Sequence, residues 1–463
     1  MSDLVVVANR GPVSLSLRDG ELVAEHAQGG LAPSLARALD GQDVLWIASA
    51  LGDAERRAMA DGRAAGLLDG VELDYLDLGP EVLHDAYSVI ANTTLWYLYH
   101  GLFEEIGAPA FDDAWWAAFE HYRSFNRAFA EEIARRAAPG ATVLVNDYHL
   151  ALVGSALLAE RPDLKTVFFS HTPFCTLEEL AQVPTEVARE LVSSMASFGA
   201  CGFHTAPWAA AFSRAAKAIG ENEATVFVSP LGVDAEELHA VADSPEVAGH
   251  KAELIERLGD RRLLARSDRI EPSKNLVRGF LAYETMLERE PQLAPQVLFV
   301  ARCYPSRTDL EDYLAYRRAV EEVVDRINER FAHGGEPAVL LETNDDYRSS
   351  LALLSVSDVL LVNPIRDGMN LVAKEGPILN EVHGALVLSE QAGAYQELAP
   401  VCLGVDAFDV EQTANQLRAA LAMPSGERVR SALALANLGA RHAPREWLAD
   451  VLSHARRPGQ AAG

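Results

Sequence analysis

The chain of 463 residues has few cysteines, few cations and no long apolar run. Its four cysteines, Cys175, Cys201, Cys303 and Cys402, lie far apart and form no C-x-x-C pair. That excludes a disulfide framework and a thiolate zinc site, and a reducing cytoplasm is the expected location. Lysine and arginine number 40 against 67 aspartates and glutamates, a formal net charge of −27. Such a field opposes nucleic acid and anionic membrane surfaces as partners. No apolar run reaches the roughly 18 residues of a bilayer span. The opening MSDLVVVANRGP has no basic region and no small-residue cleavage site, so no signal peptide is expected. There is no H-E-x-x-H and no other metal-ligand spacing, so neither metal nor cofactor is expected. A Ser170–His171–Asp147 hydrolase triad lacks the G-x-S-x-G elbow it would need.

What is present is a hydrophobic fraction of 49%, enough for large cores. Continuous apolar, β-branched runs recur: Leu4–Asn9, Val44–Ser49, Thr142–Asp147, Thr166–His171, Thr225–Pro230, Arg262–Ser267, Gln296–Arg302, Ala338–Thr343, Asp358–Pro364 and Ala385–Glu390. Continuity rather than alternation marks strands buried on both faces. Helical patterns such as AWWAAFEHYRSFNRAFAEEIARRAA and DLEDYLAYRRAVEEVVDRINERFAH stand between them. The alternation predicts an α/β protein with two doubly wound parallel sheets facing a cleft. One series ends near Pro230–Asp234 and another opens near Arg262, which puts the boundary and a hinge around 233–260. The domains are then 1–233 and 234–463, the last helices packing back toward the first.

Polar residues collect at the predicted strand ends, where open α/β sheets bind ligands. Arg10, Arg269, Lys274 and Arg307 are four cations at such ends in an acidic chain. Together they point to bound phosphates. In RDGMNLVAKE, Asp367 and Gly368 precede a helix whose first N–H groups suit an anion. Glu375 follows about two helical turns later, where its carboxylate could take both hydroxyls of a ribose. A capping aspartate and a surface glutamate explain the same spacing equally well. The glycine loop Gln28–Leu31 is a weak signal by itself.

These motifs, in order, resemble one family along nearly the whole chain. They are ANR, GGL, Tyr87 with NTTLW, FNRAFA, VNDYHLALV, FFSHTPF, PLGVD, DRIEPSKN, YPSR, RDGMNLVAKE and LSEQAGA. The sequence is similar to the trehalose-6-phosphate synthases, retaining glycosyltransferases with the GT-B arrangement of two Rossmann-like domains. The resemblance implies an acceptor-binding first domain and a nucleotide-sugar-binding second one. It implies transfer of glucose from UDP-glucose or GDP-glucose to glucose 6-phosphate. Arg10, Tyr87, Trp96 and Arg307 would hold the acceptor, and Asp147 its hydroxyls near the reacting oxygen. His171 would contact the donor sugar, and Arg269 and Lys274 the diphosphate. Asp367 would hold sugar hydroxyls, with backbone amides of Gly368, Met369, Asn370 and Leu371 nearby. Glu375 would bind the ribose, and Gly30 would close over the phosphates. The departing phosphate is the implied base, so no protein nucleophile is assigned. Glu271, Pro272 and Asn275 stand where the family has Asp, Tyr and Gly in R-x-D-Y-S-K-G, and no D-x-D-G-T phosphatase motif occurs. Glycerol 3-phosphate or an aminocyclitol phosphate is the alternative acceptor, a catalytically silent sugar-phosphate sensor the alternative class. A homo-oligomer is left open.

Overall fold

A computed structural model describes residues 1–18, 21–25, 35, 38–39, 41–61, 70–221 and 224–459. The chain divides into two compact units, Met1–Leu231 with the segment from Pro444 on, and Gly232–Ala443.

The first unit is built on seven strands besides a hairpin. These are β1 (Ser2–Val7), β4 (Val44–Ser49), β5 (Val71–Leu76), β6 (Ala137–Asn146), β7 (Lys165–Ser170), β8 (Ala200–Phe203) and β9 (Val226–Val228). The hairpin is β2 (Ser14–Arg18) with β3 (Glu21–Glu25). The order is β5-β4-β1-β6-β7-β8-β9, all parallel. Every residue of β4 is buried, as a strand covered on both faces requires. β5 alternates buried and half-exposed because it is an edge. The helix Asp113–Arg136 starts where the Asp112 carboxylate accepts from Trp115 N–H at 3.0 Å. It buries Trp115, Phe119, Tyr122, Phe125, Asn126, Phe129 and Ile133, a stripe at helical spacing. The final helix Pro444–Ser453 belongs to this unit. Trp447 packs edge-on against Phe169 at 4.9 Å and donates to Ser229 O at 3.2 Å. Beyond it, Arg456 O accepts from Thr166 N–H at 2.9 Å.

The second unit has six parallel strands: β10 (Arg262–Ile270), β11 (Val297–Pro305), β12 (Val339–Glu342), β13 (Val359–Val362), β14 (Ala385–Ser389) and β15 (Leu403–Val405). Their order is β12-β11-β10-β13-β14-β15. Leu264 of β10 faces a core shared with Phe280, Tyr283, Val320 and Leu417, while Leu263 and Ala265 face another with Leu354, Ala373 and Leu435. Two apolar layers explain the unbroken apolar run. The stretch after Gly232 has no strand pattern because it forms two helices, Ala235–Ala242 and Pro245–Leu258, packed in this unit through Leu238 and Val247. It is not an extended linker; the chain passes between units at Leu231–Gly232 and Ala443–Pro444. In each sheet the order turns back at a central strand, β1 in the first and β10 in the second, which marks where a ligand site forms.

Among the described residues no helix is long and apolar enough to cross a membrane.

Candidate active site

In the first unit the predicted residues gather at the carboxyl ends of β1, β6 and β7. Arg10 leaves β1 exposed, and its Nη2 donates to Tyr87 Oη at 3.0 Å. Tyr87 lies on the segment His84–Leu95, wound as a π-helix, a rare form that recurs at functional sites. The Thr93 and Thr94 hydroxyls donate five residues back, to Ser88 O and Val89 O, and occupy carbonyls of that wide turn. The Tyr87 ring stacks on His149 at 5.6 Å. Trp96 begins the helix Trp96–His100; it is buried and stacks on His100 at 3.9 Å.

Asp147 follows β6 with φ of 72°, a left-handed backbone that costs about 1–3 kcal/mol for a non-glycine residue. The turn is over-determined. Tyr122 Oη donates to Tyr148 O at 2.6 Å, Asn126 Nδ2 to His149 O at 3.2 Å, and Tyr148 Oη to Asn92 Oδ1 at 2.8 Å. Burial pushes the Asp147 carboxyl up to about 6, although N–H groups of His171, Tyr148 and Thr172 pull against it. His171 N–H donates to Asp147 Oδ1 at 3.1 Å. Both His171 ring nitrogens are engaged within the unit, Nε2 with Asn146 Oδ1 and Nδ1 with His204 Nε2, each at 3.1 Å. Gly30 lies outside the described residues.

In the second unit the site forms where β10 and β13 end. Lys274 and Asp367 make an ion pair, and Asn370 Nδ2 also donates to Asp367 Oδ2, at 3.1 Å. Burial pulls the Lys274 ammonium down, but Asp367, Asp268 and Glu271 more than offset this, and it stays firmly charged. Arg269 meets the fully buried Glu271 at 3.1 Å, and that carboxylate is the main cause of its raised pKa. Arg307 is close enough to Arg269 to oppose that rise. Arg307 has φ of 48° and lies over the Tyr313 ring at 5.4 Å. Clustered cations at a sheet's switch point suit a diphosphate.

Asp367 does not cap the following helix. Asn370, with φ of 70°, does so: its Oδ1 accepts from Ala373 N–H at 3.2 Å at the start of Val372–Leu379. Asp367 is held instead by the loop after β14, its N–H donating to Gln391 O at 3.1 Å and its O accepting from Gly393 N–H at 3.2 Å. Met369 is a core residue. Glu375 is not a surface glutamate but is 9% exposed. Its carboxylate makes no hydrogen bond or ion pair among the described residues, and burial alone raises it to about 7. Lys374 beside it is fully buried against Glu397 at 2.5 Å.

Arg266 was not a candidate from the sequence, because it sits inside an apolar strand run. It is fully buried, with Nε 3.0 Å from Asp268 Oδ2, Nη1 2.5 Å from Asn363 Oδ1 and Nη2 on the Lys274 carbonyl. It therefore fixes the turn that presents Lys274. Asn275, at φ of 59°, completes the lock by donating to Asn363 O at 3.0 Å and Ala407 O at 2.7 Å. The only sequence signal was a cation two residues before Asp268, on one strand face.

The model of glycosyltransferase family 20 matches residues 2–457 of this chain. A bifunctional trehalose-6-phosphate synthase/phosphatase of Thermoproteus tenax is 33% identical over 450 residues, covering 92% of this chain. The chain spans 60% of that relative's length. A solved Burkholderia xenovorans α,α-trehalose-phosphate synthase (UDP-forming), in complex with glucose-6-phosphate, is 27% identical with a TM-score of 0.84. It covers 97% of this chain and 99% of its own. An E. coli structure named for trehalose-6-phosphate and bound with UDP-2-fluoro glucose is 25% identical, TM-score 0.82, over 97% and 98% of the two chains.

Proposed function

The chain belongs to glycosyltransferase family 20, and on that premise we propose that it transfers glucose, with retention, from a nucleoside-diphosphate glucose to glucose 6-phosphate. The product is α,α-trehalose 6-phosphate. Enzymes of this family are glycosyltransferases. The observation that carries the donor assignment is Glu375, a buried carboxylate on the helix that follows the Asp367 turn, which makes no bond among the described residues. A ribose diol supplies the two donors it lacks.

Arg269 and Lys274 face the diphosphate and stabilise the charge that grows on the leaving oxygen. Asp367, with backbone amides of Gly368 to Leu371, holds the sugar, and His171 contacts it. Arg10, Tyr87, Trp96 and Arg307 hold the acceptor, and Asp147 orients its hydroxyls. The departing phosphate takes the acceptor proton, so no protein nucleophile and no metal are needed. The reaction belongs in the cytoplasm, where its substrates are made. The E. coli relative's UDP-2-fluoro glucose and the Burkholderia relative's glucose-6-phosphate support this substrate pair.

Thermal-shift titration with UDP, GDP and their glucose conjugates tests the donor side. A ligand at a hundredfold its Kd adds about 2.7 kcal/mol of stability. One of the nucleotides should stabilise the wild type and not Glu375→Ala. Glucose 6-phosphate should add a further shift that Arg307→Ala loses while keeping the nucleotide's. If glucose 6-phosphate never stabilises the wild type in any combination, glycerol 3-phosphate or an aminocyclitol phosphate replaces it.

A further inference from the structure

One line of hydrogen bonds crosses four strand ends of the first unit. β6 ends in Asn146, β7 is followed by His171, β8 by His204 and β9 by Ser229. The pairing Ser170↔Phe203 and Phe203↔Val228 puts His171, His204 and Ser229 side by side. Asn146 Oδ1 meets His171 Nε2 at 3.1 Å, His171 Nδ1 meets His204 Nε2 at 3.1 Å, and His204 Nδ1 meets Ser229 O at 3.3 Å. Phe169 packs both rings, each at 4.9 Å, and Trp447 packs His171 at 5.5 Å.

The two ends of the line are fixed as acceptors. Ser229 O is a carbonyl. Asn146 Nδ2 donates to Val7 O at 3.1 Å, which commits Oδ1 to accepting. Between these ends lie three contacts, N···O, N···N and O···N, and each needs one proton. Two neutral imidazoles carry only two. With two protons one of the three contacts is left empty: either a ring lone pair points at a carbonyl oxygen or the two ring lone pairs face each other at 3.1 Å, in a buried place where a lost hydrogen bond costs most.

We propose that His204 is a positioning residue that holds His171 by a shared proton, so that the pair carries three protons and one positive charge. His171 is then neutral with its proton on Nε2, and its Nδ1 accepts from His204. His204 is the imidazolium, donating to His171 and to Ser229 O. Asp147 accepts from the backbone N–H of His171, and a positive charge on the pair favours that carboxylate's ionised form. Burial, and then the neighbouring His204, hold His171 well below the ordinary histidine range. Asp147 is the carboxylate at the pair. The charged groups of the other packed elements, Arg214 and Lys217 of the helix Ala206–Ala218 and Arg445, Glu446 and Asp450 of the final helix, are exposed. His454 stacks on Phe227 at 4.0 Å, and His149 on Tyr87.

The effect on catalysis rests on the proposed function; the proton count does not. The test uses the full chain labelled with 15N-histidine, read by long-range proton–nitrogen spectra from about pH 6 to 8. The expected result at pH 7 is one neutral ring protonated on Nε2, His171, coupled to one ring protonated on both nitrogens. His204→Gln should abolish the second signal. Two neutral rings at pH 7, or a His171 proton on Nδ1 alone, overturns the proposal. The second arm is kinetic. His204→Gln should lower kcat about tenfold, a cost of misplacement rather than of lost binding, with each KM within about twofold. The alkaline fall of kcat in the wild type, where the shared proton leaves, should be absent in the variant. A variant that keeps the wild-type alkaline limb overturns it. If the wild type transfers no sugar, the proposed function fails and the spectra still decide the pair; they also decide it if the variant does not fold.

Discussion

At the scale of single residues, the site's charges are held in place by other charges. Lys274 is expected to matter through its charge, because Arg266 fixes its carbonyl and Asp367 its ammonium. Lys274→Ala should fold and lose turnover by about 10²–10³-fold, roughly 3–4 kcal/mol of transition-state stabilisation. Circular dichroism and kcat at saturating substrate check this; near-wild-type turnover removes Lys274 from the diphosphate. Glu375 gives a pH prediction. Its carboxyl is raised to about 7, and a ribose diol binds the ionised form. Nucleotide affinity should therefore rise with pH through about 7 and level off above it, with protons released on binding below that pH. Calorimetry in two buffers of different ionisation enthalpy reads the release. Glu375→Gln should show none. These charged residues were visible in the sequence as types at strand ends. Their partners were not: that Asn370 rather than Asp367 caps the helix, and that Glu375 is buried, depends on a turn closed by Gln391–Gly393 some twenty residues away.

At the scale of elements, Gly393 carries the tightest constraint on the site. A Cβ there would lie 1.9 Å from Gly368 O and 2.8 Å from Met369 Cα, both backbone atoms with nowhere to go. Gly393→Ala should displace the Asp367 turn and weaken nucleotide-sugar binding by about 10²-fold, a misplacement effect. Titration of the purified variant checks this; unchanged affinity means the two loops are not coupled. Strands were legible where both faces are covered. All ten apolar runs overlap an observed strand, because parallel packing leaves no polar face to interrupt them. The missed strands each lack that signal. β5 alternates at an edge; β8 is ACGF, four residues with a glycine whose Cβ would meet Phe169 and Phe227; β15 is three residues long. The hairpin β2–β3 is half exposed at Leu15 and Ser16. The π-helix at His84–Leu95 has no distinctive composition, so the wide turn that carries Tyr87 could not be read.

At the scale of the whole chain, the first unit is completed by its last residues. Trp447 is 2% exposed and bridges Phe169 and Ser229. Trp447→Ala should cost about 3–5 kcal/mol and lower the melting temperature of the first unit, and it should disturb His171, against which the indole packs. Calorimetry checks it; an unchanged melting curve means the final helix adds nothing. The two-sheet plan was legible because the strand–helix rhythm stops and restarts, and the family was legible because its motifs, most of them at strand ends, follow in one order. What the reaction acts on is the central claim. The direct measurement is to incubate the purified chain with UDP-glucose or GDP-glucose and with glucose 6-phosphate, and to read the product's anomeric linkages by NMR. The account predicts α,α-trehalose 6-phosphate with stoichiometric release of the nucleoside diphosphate. Release of the diphosphate without glucose 6-phosphate incorporation, or transfer only to glycerol 3-phosphate or an aminocyclitol phosphate, contradicts it.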